Sequence, residues 1–274
     1  MGKFEGCLLV SDIDGTLVHD GKIPQPNIEK IKEFIEHGGK FTIASGRSYM
    51  ACRVYYEESG CNCPAITFNG AVVYDYKNEN IIHKVKLPDE CKQYLQLVLE
   101  RFPSIGAEVH SVDKIFVLNR TDIIDWHLEY ESLMAKDKKF EDIVDCEWTK
   151  ALFASYNREE LLEAFEFAKK LPFEGAYFLE TAPVFFELTS KEASKGTALR
   201  KLAEYLNIEP CKVFAIGDYY NDIDMIKAAG ISALAKEAPE DIKGLADYIA
   251  CGCSEGAVAD FIEYLEHNMD IGGN

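Results

Sequence analysis

The run Asp12-Ile13-Asp14-Gly15-Thr16-Leu17 follows directly on the apolar stretch Cys7-Leu8-Leu9-Val10. The stretch reads as a short buried strand. It delivers two carboxylates at its C-terminal end, two residues apart, and that spacing places side chains on one side of an extended chain. Gly15 then permits a sharp turn away from the sheet. In open α/β sheets, ligands bind outside the carboxyl ends of the strands. Two acids in that position can bind a metal, act as nucleophile and acid, or cap the next element.

The pattern around this strand is an alternation of strand and helix. Ile28, Ile31, Phe34 and Ile35 mark one face of a helix that Gly38-Gly39 ends. Phe41 to Ser45 reads as a second strand, about Tyr49 to Ser59 as a helix, and Ala65 to Asn69 as a third strand closed by Gly70. This βαβαβ order predicts a parallel, doubly wound, Rossmann-like sheet. Val72 to Val85 then alternates as a hairpin does, with Tyr76-Lys77-Asn78 near its turn.

From 86 to 189 the rhythm is that of a separate α+β lobe. Leu95, Val98 and Leu99 mark a helix face; Ile115 to Leu118, Leu152 to Ala154 and Tyr177 to Leu179 read as strands, with a helix over Arg158–Lys170. Val184 to Leu188 is expected to return the chain to the first lobe. The α/β rhythm resumes with a helix opened by Lys195-Gly196 and lined by Leu199, Leu202 and Leu206. A strand from Lys212 to Ile216 ends at Gly217-Asp218, and a helix holds Ile223 and Ile226. Short strands near Ala233 and Tyr248 and a helix from about Glu255 to Glu266 complete the pattern. The expected organisation is one lobe built from 1–85 and 190–274, with the other inserted between them.

Charge bounds the partners. The 274 residues carry a net charge of −18, which argues against routine binding of nucleic acid, whose phosphates need dispersed Lys and Arg. If the ligand is anionic, its site must be locally positive against the global field. No apolar stretch is long enough to span a bilayer, so no membrane partner is expected. The opening residues carry no signal-peptide pattern, because Asp12 and Asp14 interrupt the apolar run too early. Met1-Gly2 begins like a myristoylation signal, but position 6 is Gly rather than Ser or Thr. A cytoplasmic chain with reduced thiols is the expectation for its nine cysteines. Cys61/Cys63 and Cys251/Cys253 could together supply four zinc ligands, but their one-residue spacing is shorter than zinc sites use, and loop thiols are the better reading.

Three other loops give the first acids meaning. Ser45-Gly46-Arg47 follows the second strand, Lys195-Gly196 opens a helix, and Gly217-Asp218-Tyr219-Tyr220-Asn221-Asp222 follows the strand that begins at Lys212. With these residues in view, the chain resembles a haloacid dehalogenase superfamily phosphatase. It carries that superfamily's four motifs in order: Asp12-x-Asp14-Gly15-Thr16, Ser45, Lys195, and Gly217-Asp218-x-x-x-Asp222. Asn69-Gly70-Ala71, Lys195-Gly196-Thr197-Ala198-Leu199 and Asn221-Asp222 are similar to Cof-like subfamily patterns, in which a cap is inserted between the second and third motifs. The resemblance runs the length of the chain and is most specific in the first lobe.

The resemblance implies roles residue by residue. Asp12 matches the nucleophile that forms an aspartyl phosphate. Asp14 matches the acid that protonates the leaving oxygen and then the base that activates water. Mg²⁺ is expected on Asp12, the Asp14 carbonyl and Asp218. Ser45 and Lys195 match the phosphate-binding pair, Asp222 orients Lys195 or a metal-bound water, and Gly46, Arg47, Asn69 and Asn221 are substrate-side candidates. The inserted lobe matches a cap that closes over substrate. Blander readings stand beside these. Asp12 and Asp14 can be turn residues, Ser45 a helix N-cap, Arg47 a surface ion pair, and Asn69 a left-handed turn residue before Gly70. Lys191 rivals Lys195 by proximity, and Tyr219 and Tyr220 either narrow an entrance or only pack.

One departure is clear: where the subfamily often has Gly-Asn-Ala, this chain has Lys236-Glu237-Ala238. The cap aromatics Trp126, Tyr130, Trp148, Tyr156, Tyr177 and Phe185 are expected mostly in its core. The expected activity is Mg²⁺-dependent hydrolysis of small phosphorylated metabolites: sugar phosphates first, flavin mononucleotide or pyridoxal phosphate next. A phosphomutase or phosphotransferase sharing the aspartyl phosphate, and a non-catalytic phosphometabolite sensor, are the alternatives.

Overall fold

Residues 2–172 and 174–268 are described by the structure, a computed structural model. The chain divides into two compact units, Met1–His83 with Ser194–Asn274, and Lys84–Ala193. Residues 269–274, expected with the first lobe, lie outside the described residues.

The first unit begins with β1 (Leu8–Ser11), α1 (Gln25–Glu36), β2 (Lys40–Ile43), α2 (Tyr49–Glu58), β3 (Ala65–Thr67), β4 (Val72–Asp75) and β5 (Asn80–Lys84). Its strand runs are short because they are buried apolar segments between turns, as at Leu8-Leu9-Val10, whose side chains are wholly inaccessible. β3 is shorter than the expected strand. Phe68, Asn69 and Gly70 all take positive φ, at 53°, 52° and 91°, and turn the chain out of the extended region. β3 therefore meets β2 through a single parallel bridge, Ala44 to Ile66, and pairs antiparallel with β4.

The second unit runs α3 (Lys92–Arg101), β6 (Gly106–His110), β7 (Ile115–Asn119), α4 (Asp122–Tyr130), β8 (Ala135–Asp137), β9 (Lys150–Ala154), α5 (Arg158–Ala168), β10 (Ala176–Ala182) and β11 (Phe185–Ser190). Its sheet has the order β10-β11-β9-β6-β7-β8 among the described residues and is antiparallel except where β7 meets β8. Val184 to Leu188 thus does not return the chain to the first unit. β11 pairs with both β9 and β10 inside this sheet.

The chain then continues through α6 (Lys195–Leu206), β12 (Val213–Gly217), α7 (Ile223–Ala228), β13 (Ile231–Leu234), α8 (Glu240–Lys243), β14 (Tyr248–Ile249) and α9 (Ala257–Asn268). Among the described residues, the parallel sheet of the first unit has the order β14-β13-β12-β1-β2. β1 lies between β12 and β2, so the strands from both chain ends sit side by side: Ser11 is level with Ile216 and Ile43. Leu8 and Val10 of β1 and Val213 and Ala215 of β12 share a core with Ala198, Leu199 and Leu202 of α6 and Met225 of α7. α1 packs on α9 through the buried Asn27, which donates to Leu17 O at 3.3 Å and accepts from Ala259 N at 2.9 Å. No helix among the described residues is long and apolar enough to cross a membrane.

The two faces of the second unit's sheet differ in chemistry. Ala107, Val109, Phe116, Ala151, Phe153, Phe186 and Leu188 form an apolar core with α3 and α5, joined by the buried Trp148. On the other face, α4 covers Ile115, Val117, Leu152 and Ala154, but Glu108 and His110 are buried beside them. Trp126, Tyr130 and Tyr156 are exposed rather than in the core; Trp126 and Tyr130 stack on each other at the surface of α4, with centroids 5.1 Å apart.

Glu108 accepts from His110 Nε2 at 2.8 Å and from His127 Nδ1 at 3.1 Å, and His127 Nε2 lies 3.6 Å from Glu131. Burial opposes the charge on Glu108, but the two imidazoles hold its pKa down to about 2. Burial likewise opposes the charge on His127, and the hydrogen bonds to Glu108 and Glu131 outweigh it, raising the pKa to about 9. A raised folded-state pKa contributes stability that is complete below the ordinary histidine value and is lost as pH rises through the folded value. The His127→Gln variant is therefore expected to lack a decline in stability, of ~3 kcal/mol at most, that the parent shows between about pH 6.5 and 9. Urea unfolding midpoints across that range check it; parallel pH profiles for the two proteins would contradict it.

Candidate active site

β1 ends one residue before Asp12, whose N–H donates to Ile216 O of β12 at 2.9 Å and so continues the sheet's ladder. The chain then folds into a tight loop in which Leu17 and Val18 both donate to Ile13 O. Gly15 sits at φ 84° with its α-carbon so near the neighbouring strand end that a β-carbon would lie 2.5 Å from an Asp218 carboxylate oxygen. Thr16 Oγ1 donates to the other Asp218 oxygen at 3.0 Å. The loops after β1 and β12 are thus bound to each other through the acid that one of them carries.

Lys195 is the first residue of α6, whose N-cap Ser194 accepts from Thr197 N. Its ammonium is fully buried and donates to Asp12 Oδ1 at 2.5 Å and Asp222 Oδ1 at 2.6 Å. The second oxygen of Asp222 accepts from Asp218 N at 3.0 Å and Tyr219 N at 3.1 Å. Asp222 therefore holds both Lys195 and the backbone of the loop that presents Asp218. Lys191, the rival by sequence, is exposed.

The loop after β2 forms a second group. Ser45 Oγ accepts from Arg47 N at 3.2 Å, and Ser45 O accepts from Asn69 N at 2.9 Å. Ser48, not Ser45, is the N-cap of α2. Arg47 is buried and forks onto Asp14, with Nε to Oδ2 at 2.8 Å and Nη2 to Oδ1 at 2.7 Å. Asn69 holds its left-handed turn and also accepts from Asn221 Nδ2 at 3.1 Å. Gly46 lies against the Asn69 amide, where a β-carbon would come within 3.0 Å.

The electrostatics are those of concentrated negative charge. Burial raises the Asp12 carboxyl well above the usual range, and Asp222, Asp218 and Asp14 add to it against the pull of Lys195. Asp218 is pushed up to about 7, by burial first and Asp222 next. Lys195 is held above its ordinary value: burial opposes its charge, but Asp12 and Asp222 outweigh it. Among the described residues, one set of three or more His, Cys, Asp or Glu side chains brings ligand atoms within 4.8 Å of one another: Asp12, Asp218 and Asp222. Three carboxylates around one ammonium leave an excess of buried negative charge, and hard carboxylate oxygens in that setting suit a divalent cation. Asp14 contributes no side chain to this set; Arg47 holds both of its oxygens.

The cysteine pairs form no such set. Burial pushes the Cys61 and Cys253 thiols up to about 12; Cys63 and Cys253 donate to Phe41 O and Val18 O. Glu237 accepts from Cys253 N at 3.2 Å. Tyr220 reaches away to Asp241 of α8 and packs edge-on against Tyr219. The grip of Thr16 on Asp218 and of Arg47 on Asp14 went unassigned in the sequence, although both residues stand inside its motifs.

Removing the cation tests the electrostatic reading. Lys195→Met leaves Asp12 and Asp222 buried without their partner, and is expected to cost about 3–5 kcal/mol at pH 8. The loss should shrink towards pH 5, because the Asp12 carboxyl, which burial already raises, takes up a proton more readily there and then needs no counter-charge. Chemical denaturation at the two pH values measures this; an equal loss at both would mean that the ammonium acts by packing alone.

Comparison with known proteins places the chain in a family. The sequence model of the haloacid dehalogenase-like hydrolases matches residues 9–262. Phosphatase YwpJ of Bacillus subtilis is 26% identical, over 94% of this chain and 99% of its own. The 5-amino-6-(5-phospho-D-ribitylamino)uracil phosphatase YcsE of the same organism is 29% identical, over 94% of each. A sugar phosphatase of haloacid dehalogenase subclass IIB superposes with a TM-score of 0.82 at 22% identity, over 95% of this chain and 98% of its own. The chain belongs to the haloacid dehalogenase-like hydrolase family.

Proposed function

We propose that this enzyme hydrolyses small phosphate monoesters, sugar phosphates first, through an aspartyl phosphate on Asp12. The observation that carries the reading is the buried Asp12 carboxylate, fixed by Lys195 at 2.5 Å beside Asp218. A carboxylate held at the carboxyl end of a central strand has one oxygen restrained and the other available for attack. Asp12 forms a bond to phosphorus as the bond to the leaving oxygen breaks, and Asp14 gives that oxygen its proton. Water then attacks phosphorus, its proton passes to Asp14, and the bond to Asp12 breaks, which returns both carboxyl groups to their starting state. Ser45 and Lys195 meet the phosphoryl oxygens, and Asp222 keeps Lys195 aimed.

Asp12, the Asp14 carbonyl and Asp218 would hold Mg²⁺, which supplies charge neutralisation for the transferring group when bound. The excess of buried carboxylate supports that assignment. Lys195 is already paired with Asp12 and Asp222 and Arg47 with Asp14, so the bound cation would supply the local positive charge that an anionic substrate needs against the net charge of −18. The inserted unit, Lys84–Ala193, would set selectivity among substrates. YcsE's named substrate makes a phosphorylated ribityl chain a natural member of any substrate panel.

Phosphate release from phosphorylated metabolites is the test, with Mg²⁺, with EDTA, and with Asp12→Asn. Release is expected to fall by at least about 10³-fold in the variant and to vanish in EDTA. Turnover that survives either change would defeat the nucleophile or the metal assignment. Phosphate passing to a sugar acceptor without release would identify a transferase instead.

A further inference from the structure

The Arg47–Asp14 pair is built unlike a surface ion pair. The guanidinium is the buried partner, with 7% of its side chain exposed, whereas 49% of the Asp14 side chain is open. The guanidinium lies over the Tyr55 ring of α2, 5.4 Å from its centroid. Its backbone is pinned on both sides, with N–H donating to Ser45 Oγ and carbonyl accepting from Phe68 N at 2.9 Å. Two parallel N–H···O bonds then fix the plane of the Asp14 carboxylate, which one bond would leave free to rotate. Each oxygen keeps an outward lone pair for a proton.

We infer that Arg47 is a positioning residue for proton transfer, holding the open Asp14 carboxyl in the orientation in which it exchanges a proton with the leaving oxygen and with water. The inference rests on the hydrolase reading above. It differs from a substrate-binding role for Arg47, in which the guanidinium would grip the substrate itself. A rigid fork anchored on Tyr55 and Ser45 can hold a flexible, exposed carboxylate still; a lysine, with a rotating point charge, cannot do so equally well.

The two roles separate by leaving group. p-Nitrophenolate departs without a proton, whereas an alkoxide needs one. In Arg47→Ala, rapid-quench release of alcohol from an alkyl phosphate is expected to slow about 10²-fold, while the first-turnover release of p-nitrophenolate changes less than about threefold. In an Asp14→Asn background the same substitution should add less than about threefold, because the group it positions is already gone. Arg47→Lys should fall between parent and Arg47→Ala, and it carries the test if Arg47→Ala does not fold. Equal losses for both leaving groups, a rise in KM alone, or multiplicative losses in the double variant would overturn the inference while leaving the hydrolase standing. A parent protein with Mg²⁺ that releases neither product would overturn the hydrolase reading, and this inference with it.

Discussion

The ammonium of Lys195, enclosed between Asp12 and Asp222, is the contact on which the rest of the first unit's site depends. It joins residues 183 apart in the chain, and it does so in a place where neither carboxylate could be ionised alone at low cost. The packing beneath it makes the contact geometrically available. α6 lies on the sheet through Ala198, Leu199 and Leu202, and that places the first residue of the helix at the carboxyl ends of β1 and β12. Hydrophobic burial sets where the helix begins, and the ion pair determines what the beginning of the helix can do.

Asp222 carries this order one step further. One oxygen takes Lys195 and the other takes two backbone N–H groups of its own loop. The position of Asp218 is therefore coupled to the position of the lysine. The arrangement still leaves more buried negative charge than the lysine neutralises, as the raised carboxyls of Asp12 and Asp218 register. A protein that keeps such an excess has a site suited to binding a cation. The members of that site are held by strand ends, a helix start and each other.

Much of this was legible in the chain. Asp12, Lys195, Asp218 and Asp222 stand at the ends of strongly patterned elements, and apolar runs such as Leu8 to Val10 and Val213 to Ile216 admit one reading. The second unit was harder because its sheet has a polar interior face. β6 reads Gly-Ala-Glu-Val-His, with Glu108 and His110 buried, so the alternation that marks a strand has its charged members inside. α4 was missed for the converse reason: Trp126 and Tyr130 are large and apolar, yet they lie on the exposed side of the helix. The early end of β3 depended on three successive positive φ values, two of them at residues other than glycine, which composition does not announce.

The site's compactness also depends on atoms that are missing. At Gly217 a β-carbon would sit 2.5 Å from Asp222, and at Gly15 one would sit 2.5 Å from Asp218. Each glycine thus gives its space to a carboxylate of the neighbouring loop position, and the two acids approach the strand ends as closely as backbone allows. A motif of acids next to glycines is therefore a statement about distance as much as about chemistry. The acids supply the charge, while the glycines set how near that charge lies to Lys195 and to whatever the site binds. In the Ser45-Gly46-Arg47 loop, Gly46 opens space for the Asn69 amide in the same way, and the guanidinium beside it turns outward to Asp14. The three loops share one construction, in which a small residue admits a neighbour and a charged residue beside it is held at both ends.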